Sequence, residues 1–117
     1  MIERTFNYRL ISQLASWPIM ISRKAIYLLD GKDNLWAFEE YLDGYMIAAE
    51  MGTGCRGNKA VKSLKSAFQW MDDNIGKVNI YASRLLENRK TGPVAVAAGM
   101  EFTHIEKGRM FYKKGSK

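Results

Sequence analysis

The run Gly52-Thr53-Gly54-Cys55-Arg56-Gly57-Asn58, leading into Lys59, is the stretch of this chain whose residue types can do chemistry. The first amides of a helix have no internal acceptor and together carry about half a positive charge. Glycines bring such amides up to an anion with no Cβ in the way. With Arg56 and Lys59 beside them, they make a cradle of the kind a pyrophosphate needs. The run lacks the Gly-Lys-Ser/Thr ending of a P-loop, and no series of alternating βαβ units surrounds it to make a dinucleotide fold. A plain strand-to-helix turn that needs flexible residues accounts for the same composition, and the sequence leaves both readings open.

Glu50, just upstream at the end of a strand, is a carboxylate of the kind that serves as a general base. Its bland alternative is a solvated strand-end carboxylate or a partner for Arg56. Cys55 lies near a helix start, a setting that lowers a thiol pKa, but nucleophilic catalysis also needs a base and an orienting group, and none is local. His104, the only histidine, shares strand parity with Phe102 and Glu106 and reads as packed filler. One histidine and one cysteine fall short of the four ligands of a structural zinc site, so no metal is expected. Tyr112, next to Phe111, reads as ordinary strand packing.

The elements that must position these residues follow from periodicity. Phe6, Leu10 and Leu14 recur four apart behind the caps Thr5 or Asn7, predicting a first helix that Trp17-Pro18 ends. Lys24 to Leu29, Leu35 to Tyr41 and Tyr45 to Met51 read as three antiparallel strands, the last two joined by a turn at Asp43-Gly44. In the second strand Trp36 and Phe38 face one side and Glu39 the other. Ala60, Val61, Leu64, Ala67, Phe68 and Met71 form one stripe of a helix from Lys59 to about Asn74, closed by Gly76. Val78, Ile80 and Ala82 alternate with polar neighbours as a strand. Pro93 opens a short helix ended by Gly99, and Phe102 to Glu106 and Arg109 to Lys113 close the chain as a hairpin. The strand–loop–helix–strand unit from Tyr45 to Ser83 has the length of a right-handed crossover, which makes its two strands parallel. The expected fold is mixed α/β (α+β): one mostly antiparallel sheet flanked by helices.

Composition bounds the answer further. The 117 residues are 47% hydrophobic and 26% charged, the balance of one globular domain spanning residues 1–117. Apolar runs such as Val94 to Met100 are far short of a membrane span, and Met1-Ile2-Glu3-Arg4 does not read as a secretory signal. A single cysteine and seven methionines fit a reducing, cytoplasmic setting. Residues 1–58 hold 6 basic and 7 acidic side chains and residues 59–117 hold 12 and 5, so the second half favours anionic partners. A solvated helix face and a lysine-rich tail explain that excess equally well. Asp30, Asp33, Glu39, Glu40 and Asp43 gather in the first half, where they either attract a cationic acceptor or decorate hairpin turns. An exposed Trp36 or Trp70 would signal a partner surface.

Order and motif together resemble the GNAT superfamily of acyl-CoA-dependent N-acetyltransferases, over roughly residues 20 to 114. Those proteins place a Gln/Arg-x-x-Gly-x-Gly/Ala loop between a strand and a helix to hold the coenzyme A pyrophosphate. Arg56-Gly57-Asn58-Lys59-Ala60-Val61 begins in the same way, with Lys59 and Val61 where small residues are usual. Asn88, eleven residues before Gly99, is similar to the family's asparagine and closing glycine. The Arg-Gly-x-Lys-Ala variant with Asn88-Arg89 is similar to small GNAT-like proteins of bacteriophages. The resemblance implies acetyl-CoA as co-substrate, held by Met51, Thr53, Arg56, Gly57, Asn58, Lys59, Ala60 and Asn88. Met51 and Thr53 would offer backbone to the pantetheine arm, and Glu50 would be the base for an amine acceptor. The tyrosine that many members place seven residues after the asparagine is Ala95 here, which cannot protonate the departing thiolate.

Three functions therefore compete. One is transfer of an acetyl group from acetyl-CoA to an unidentified amine. Another is a catalytically degenerate phage structural or assembly protein of the virion, with a phage or host protein partner. Nucleic-acid binding by the basic half is the third and is not expected, since no recognition helix or stacking platform accompanies the charge. No membrane partner is expected either.

Overall fold

The computed structural model describes residues 2–15, 24–52, 54–86 and 91–115. In chain order these form β1 (Ile2–Arg4), α1 (Tyr8–Leu14), β2 (Ile26–Asp30), β3 (Asn34–Tyr41), β4 (Gly44–Glu50), α2 (Asn58–Asn74), β5 (Asn79–Leu85), α3 (Thr91–Ala97), β6 (Glu101–Glu106) and β7 (Arg109–Lys114). One seven-stranded sheet results, ordered β1-β2-β3-β4-β5-β7-β6. Every neighbouring pair is antiparallel except β4 and β5, the parallel pair expected from the crossover length.

The two faces of the sheet carry two cores. Trp36, Phe38, Ile26, Leu28, Ile80 and Tyr112 pack beneath Leu64, Ala67, Phe68 and Met71 of α2. Burying each large side chain there contributes roughly 1.5–3 kcal/mol. On the opposite face Ile11 of α1 packs on Tyr27, Leu35 and Ala37. Asn7 caps α1, its Oδ1 accepting from the Leu10 amide at 3.1 Å. The helix ends at Leu14, so the expected stop at Trp17-Pro18 lies outside the described residues.

Several local expectations are corrected. The first element is β1, three residues paired with β2 and too short to show alternation in sequence. α3 begins two residues before Pro93. The hairpin turn between β3 and β4 is Leu42-Asp43, with Leu42 at φ 49°, and Gly44 already pairs with Tyr41. What requires glycine at 44 is close approach, because a Cβ there would lie 1.9 Å from the Asn79 carbonyl oxygen. An irregularity between Phe102 and His104 breaks their common parity. Phe102 meets Tyr112 edge-on, whereas His104 stacks on Phe111 at 4.7 Å on the other face. Trp36 is buried, its Nε1 donating to Ser63 Oγ at 2.8 Å, and so marks the core.

The acidic residues also divide, since Asp30 and Asp33 lie at one end of β3 and Asp43 at the other. Asp43 accepts hydrogen bonds from the Tyr81 hydroxyl and from Asn79 Nδ2, tying the β3–β4 turn to β5. The Tyr81 bond is the chief cause that lowers the Asp43 pKa, and the same bond raises that of Tyr81. With Asp43 lowered, its contribution to stability is present above about pH 4 and is lost as pH falls through the folded value. With Tyr81 raised, its contribution holds up to about pH 10 and is lost as pH rises through the folded value. Tyr81→Phe is expected to flatten both limbs of a plot of urea midpoint against pH; unchanged limbs would show that the bond does not form in solution.

Candidate active site

The parallel pairing of β4 with β5 stops early. Gly44, Tyr45 and Met46 pair with Asn79, Ile80 and Tyr81, and the strands share no further rungs. β4 nonetheless stays paired with β3 as far as Glu50, and β5 with β7 as far as Leu85. The sheet is therefore split between residues 47–50 and 82–85. In a hairpin closed by a two-residue turn, alternate residues point their N–H and C=O groups away from the partner strand. On β4 these are Ile47 and Ala49, whose backbone groups face the split.

A cleft of about 810 Å³ occupies the split, lined by Ile47 and Ala49 on one side and by Ser83 and Arg84 on the other. The glycine loop closes one end. Gly52 donates its amide to Asn34 Oδ1 at 2.8 Å, and a Cβ at this position would collide with the Asp33 carboxylate. The Cys55 amide donates to the Gly52 carbonyl at 3.0 Å. α2 then opens at Gly57, at φ 56°, with no side-chain cap on its first turn. That φ is one a side-chain-bearing residue rarely adopts. An uncapped helix start facing a cleft offers the dipole and free amides that suit an anion.

Of the residues singled out from sequence, Met51, Arg56, Gly57 and Ala60 line the cleft. Asn58 and Lys59 are exposed in the first turn of α2 and lie outside its wall. Glu50 is half-buried on the α1 face, opposite Leu35 in register. Thr53 and Asn88 lie outside the described residues. Ala95 is buried in the cleft wall, where it brings no phenol. The Cys55 thiol is pushed up, first by burial and then by Asp30 and Asp33, against the opposing pull of Lys59. The lowered thiol expected of a helix start is thus overturned, first by burial and then by the hairpin acids nearby.

Two cleft residues escaped the sequence reading. Arg84 donates Nε to Tyr112 Oη at 3.1 Å and Nη1 to the carbonyls of Leu85 and Leu86. Arg109 donates Nε to Ser83 Oγ at 3.2 Å. Both owe their place to the β5–β7 register, a non-local pairing with no sequence signal of its own.

A mixed seven-stranded sheet, split between its parallel central strands beside a glycine loop and an uncapped helix, is the GNAT fold. Similar solved structures carry that architecture. PseH, an N-acetyltransferase of Campylobacter jejuni solved with acetyl coenzyme A, matches at TM-score 0.75 and 8% identity over 100% of both chains. The spermidine/spermine N-acetyltransferase SpeG of Vibrio cholerae matches at 0.74 and 10%, over 99% of this chain and 92% of that one. A GNAT-family acetyltransferase of Bacillus anthracis matches at 0.63 and 16%, over 80% of this chain, which spans 66% of its partner. At these identities the likeness is one of fold. No protein-family model and no curated protein matches the sequence. No helix among the described residues is long and apolar enough to cross a membrane.

Proposed function

We propose that this chain transfers an acetyl group from acetyl-CoA to a primary amine. The observation that carries this reading is the split between β4 and β5, which ends at the uncapped start of α2. Arg56, Gly57, Asn58, Lys59 and Ala60 would hold the pyrophosphate, with Lys59 adding a point charge from the rim. Met51, and Thr53 and Asn88 beyond the described residues, complete the proposed coenzyme site. The pantetheine arm would pair along the free edge of β4 as an added strand. A β4 amide facing the split would donate to the thioester carbonyl as charge develops on its oxygen. PseH, which shares the fold, was solved with acetyl coenzyme A.

Glu50 would take a proton from the ammonium, directly or through one water, so that the nitrogen lone pair attacks the thioester carbon. The C–N bond forms, the C–S bond breaks, and the coenzyme leaves as a thiolate that takes the remaining proton from the nitrogen, giving a neutral amide and free coenzyme A. A thiol pKa near 8.5 makes that departure tolerable without a dedicated acid, which fits Ala95 in the cleft wall.

Acetyl-CoA at about a hundred times its Kd is expected to stabilise the protein by about 2.7 kcal/mol. For a chain of this size that is roughly a 10 °C rise in Tm, with thiol release once an accepted amine is added. No rise at millimolar acetyl-CoA would refute the proposal.

A further inference from the structure

The charges around the cleft are sorted by face, and the sorting constrains the acceptor. Among the described residues lining the cleft, Arg56, Arg84 and Arg109 are the charged ones, with no Asp or Glu. Arg56 belongs to the glycine loop beside α2. Arg84 shares the α2 face with Met110 and Tyr112, and its donors go to Tyr112, the carbonyls of Leu85 and Leu86, and Met110 Sδ.

Arg109 differs. It pairs in register with Leu85 and Glu106 and bonds Ser83, which places it on the opposite face, the one that carries α1. Ser83 fixes Nε of this half-buried side chain, and no acceptor among the described residues engages its two terminal nitrogens. A partly desolvated guanidinium with an unfilled planar fork matches a carboxylate. Across the split on the same face stands Glu50. Counting on from Met46↔Tyr81 puts it level with Leu85, and hence with Arg109. At the glycine loop Asp33 lies against Gly52, and on β3 Glu39 shares the parity of Leu35 and Ala37 and hence the α1 face. This face thus carries Glu39 and Glu50 on the β3–β4 side of the split, and on the other side Arg109, with Glu106 across from it on β6.

Resting on the transferase reading above, we propose that the acceptor is an amino acid: a primary amine whose carboxylate docks on Arg109 while its ammonium faces Glu50. A polyamine, the acceptor named for SpeG, would set a cation against Arg109 instead.

The test is thiol release at saturating acetyl-CoA, comparing free amino acids with their carboxamides, the corresponding simple amines, spermidine and phosphoethanolamine. kcat/KM for the best amino acid is expected to exceed that for its carboxamide by at least about tenfold, since buried polar donors discriminate against a ligand lacking their partner. Arg109→Gln is expected to collapse that ratio towards one, and Arg109→Lys to restore part of it, both retaining the acetyl-CoA rise in Tm. The retained rise shows that the variants fold. Preference for spermidine or for the carboxamide, no turnover of any amino acid, or an equal loss on every acceptor in Arg109→Gln would each overturn the proposal. Preference for phosphoethanolamine would replace carboxylate with phosphate and overturn the amino-acid assignment. Wild-type protein that acetyl-CoA fails to stabilise refutes the coenzyme site itself, and a stabilised protein with no carboxylate preference refutes the acceptor alone.

Discussion

Glu50→Gln is expected to lower the rate of acetyl transfer about 10²- to 10⁴-fold at neutral pH, the usual contribution of a positioned base. Glutamine keeps the shape of the side chain, half-buried opposite Leu35, and loses the negative charge together with the ability to take a proton. An aliphatic acceptor amine is protonated at pH 7, because its own pKa is near 10. Without the base, only the small fraction already deprotonated can attack. The deficit should therefore shrink steadily as pH rises towards 10. The loss should fall on kcat, with the acetyl-CoA rise in Tm unchanged. A variant as fast as the parent at pH 7, or one whose deficit is constant with pH, would remove Glu50 from the chemistry.

Arg56→Glu is expected to weaken acetyl-CoA binding about 10- to 100-fold, read as Kd by calorimetry or by the Tm rise at fixed ligand. A hydrogen bond to a charged group is worth about 1.5–3 kcal/mol, and reversing the charge adds repulsion from the diphosphate. Arg56 is exposed at the loop end of the cleft, so the unliganded protein should melt as before. Binding by the parent should weaken with salt more steeply than binding by the variant. An unchanged Kd would mean that the phosphates lie elsewhere.

Much of this fold was legible because its information is local. The stripe from Ala60 to Met71 has the period of a helix, and Trp36 and Phe38 alternate with Glu39, so α2 and β3 declare their buried faces in one dimension. Even there Ser63 escaped: a serine is read as solvated until the Trp36 indole supplies the hydrogen bond that lets it be buried. What stayed hidden depends on register between distant strands. Gly44 is a turn residue in sequence and a close-approach residue in space, because Asn79 lies thirty-five positions away. Arg84 and Arg109 are two basic residues among many until β5 and β7 pair and aim them at the cleft. His104 changes face through an irregularity of register that no periodicity foretells. The glycine loop was legible because glycines and cations suit an anion wherever they stand in a sequence; that the loop closes one end of a split sheet required the third dimension.

The split has a mechanical consequence. β3 and β4 share seven rungs and β5 and β7 share six, while only three hold these two rafts together. The join is pinned where Gly44 lies so close to Asn79 that no Cβ fits between them, and it opens towards Glu50 and Leu85. Such a joint works like a clothes-peg: stiff jaws on a short spring, with the load taken at the far end. A guest that forms backbone bonds along β4 adds rungs beyond the spring, so the rafts should stop breathing when the peg is full. Deuterium uptake at Ile47, Ala49, Ala82 and Ser83 would record that damping residue by residue.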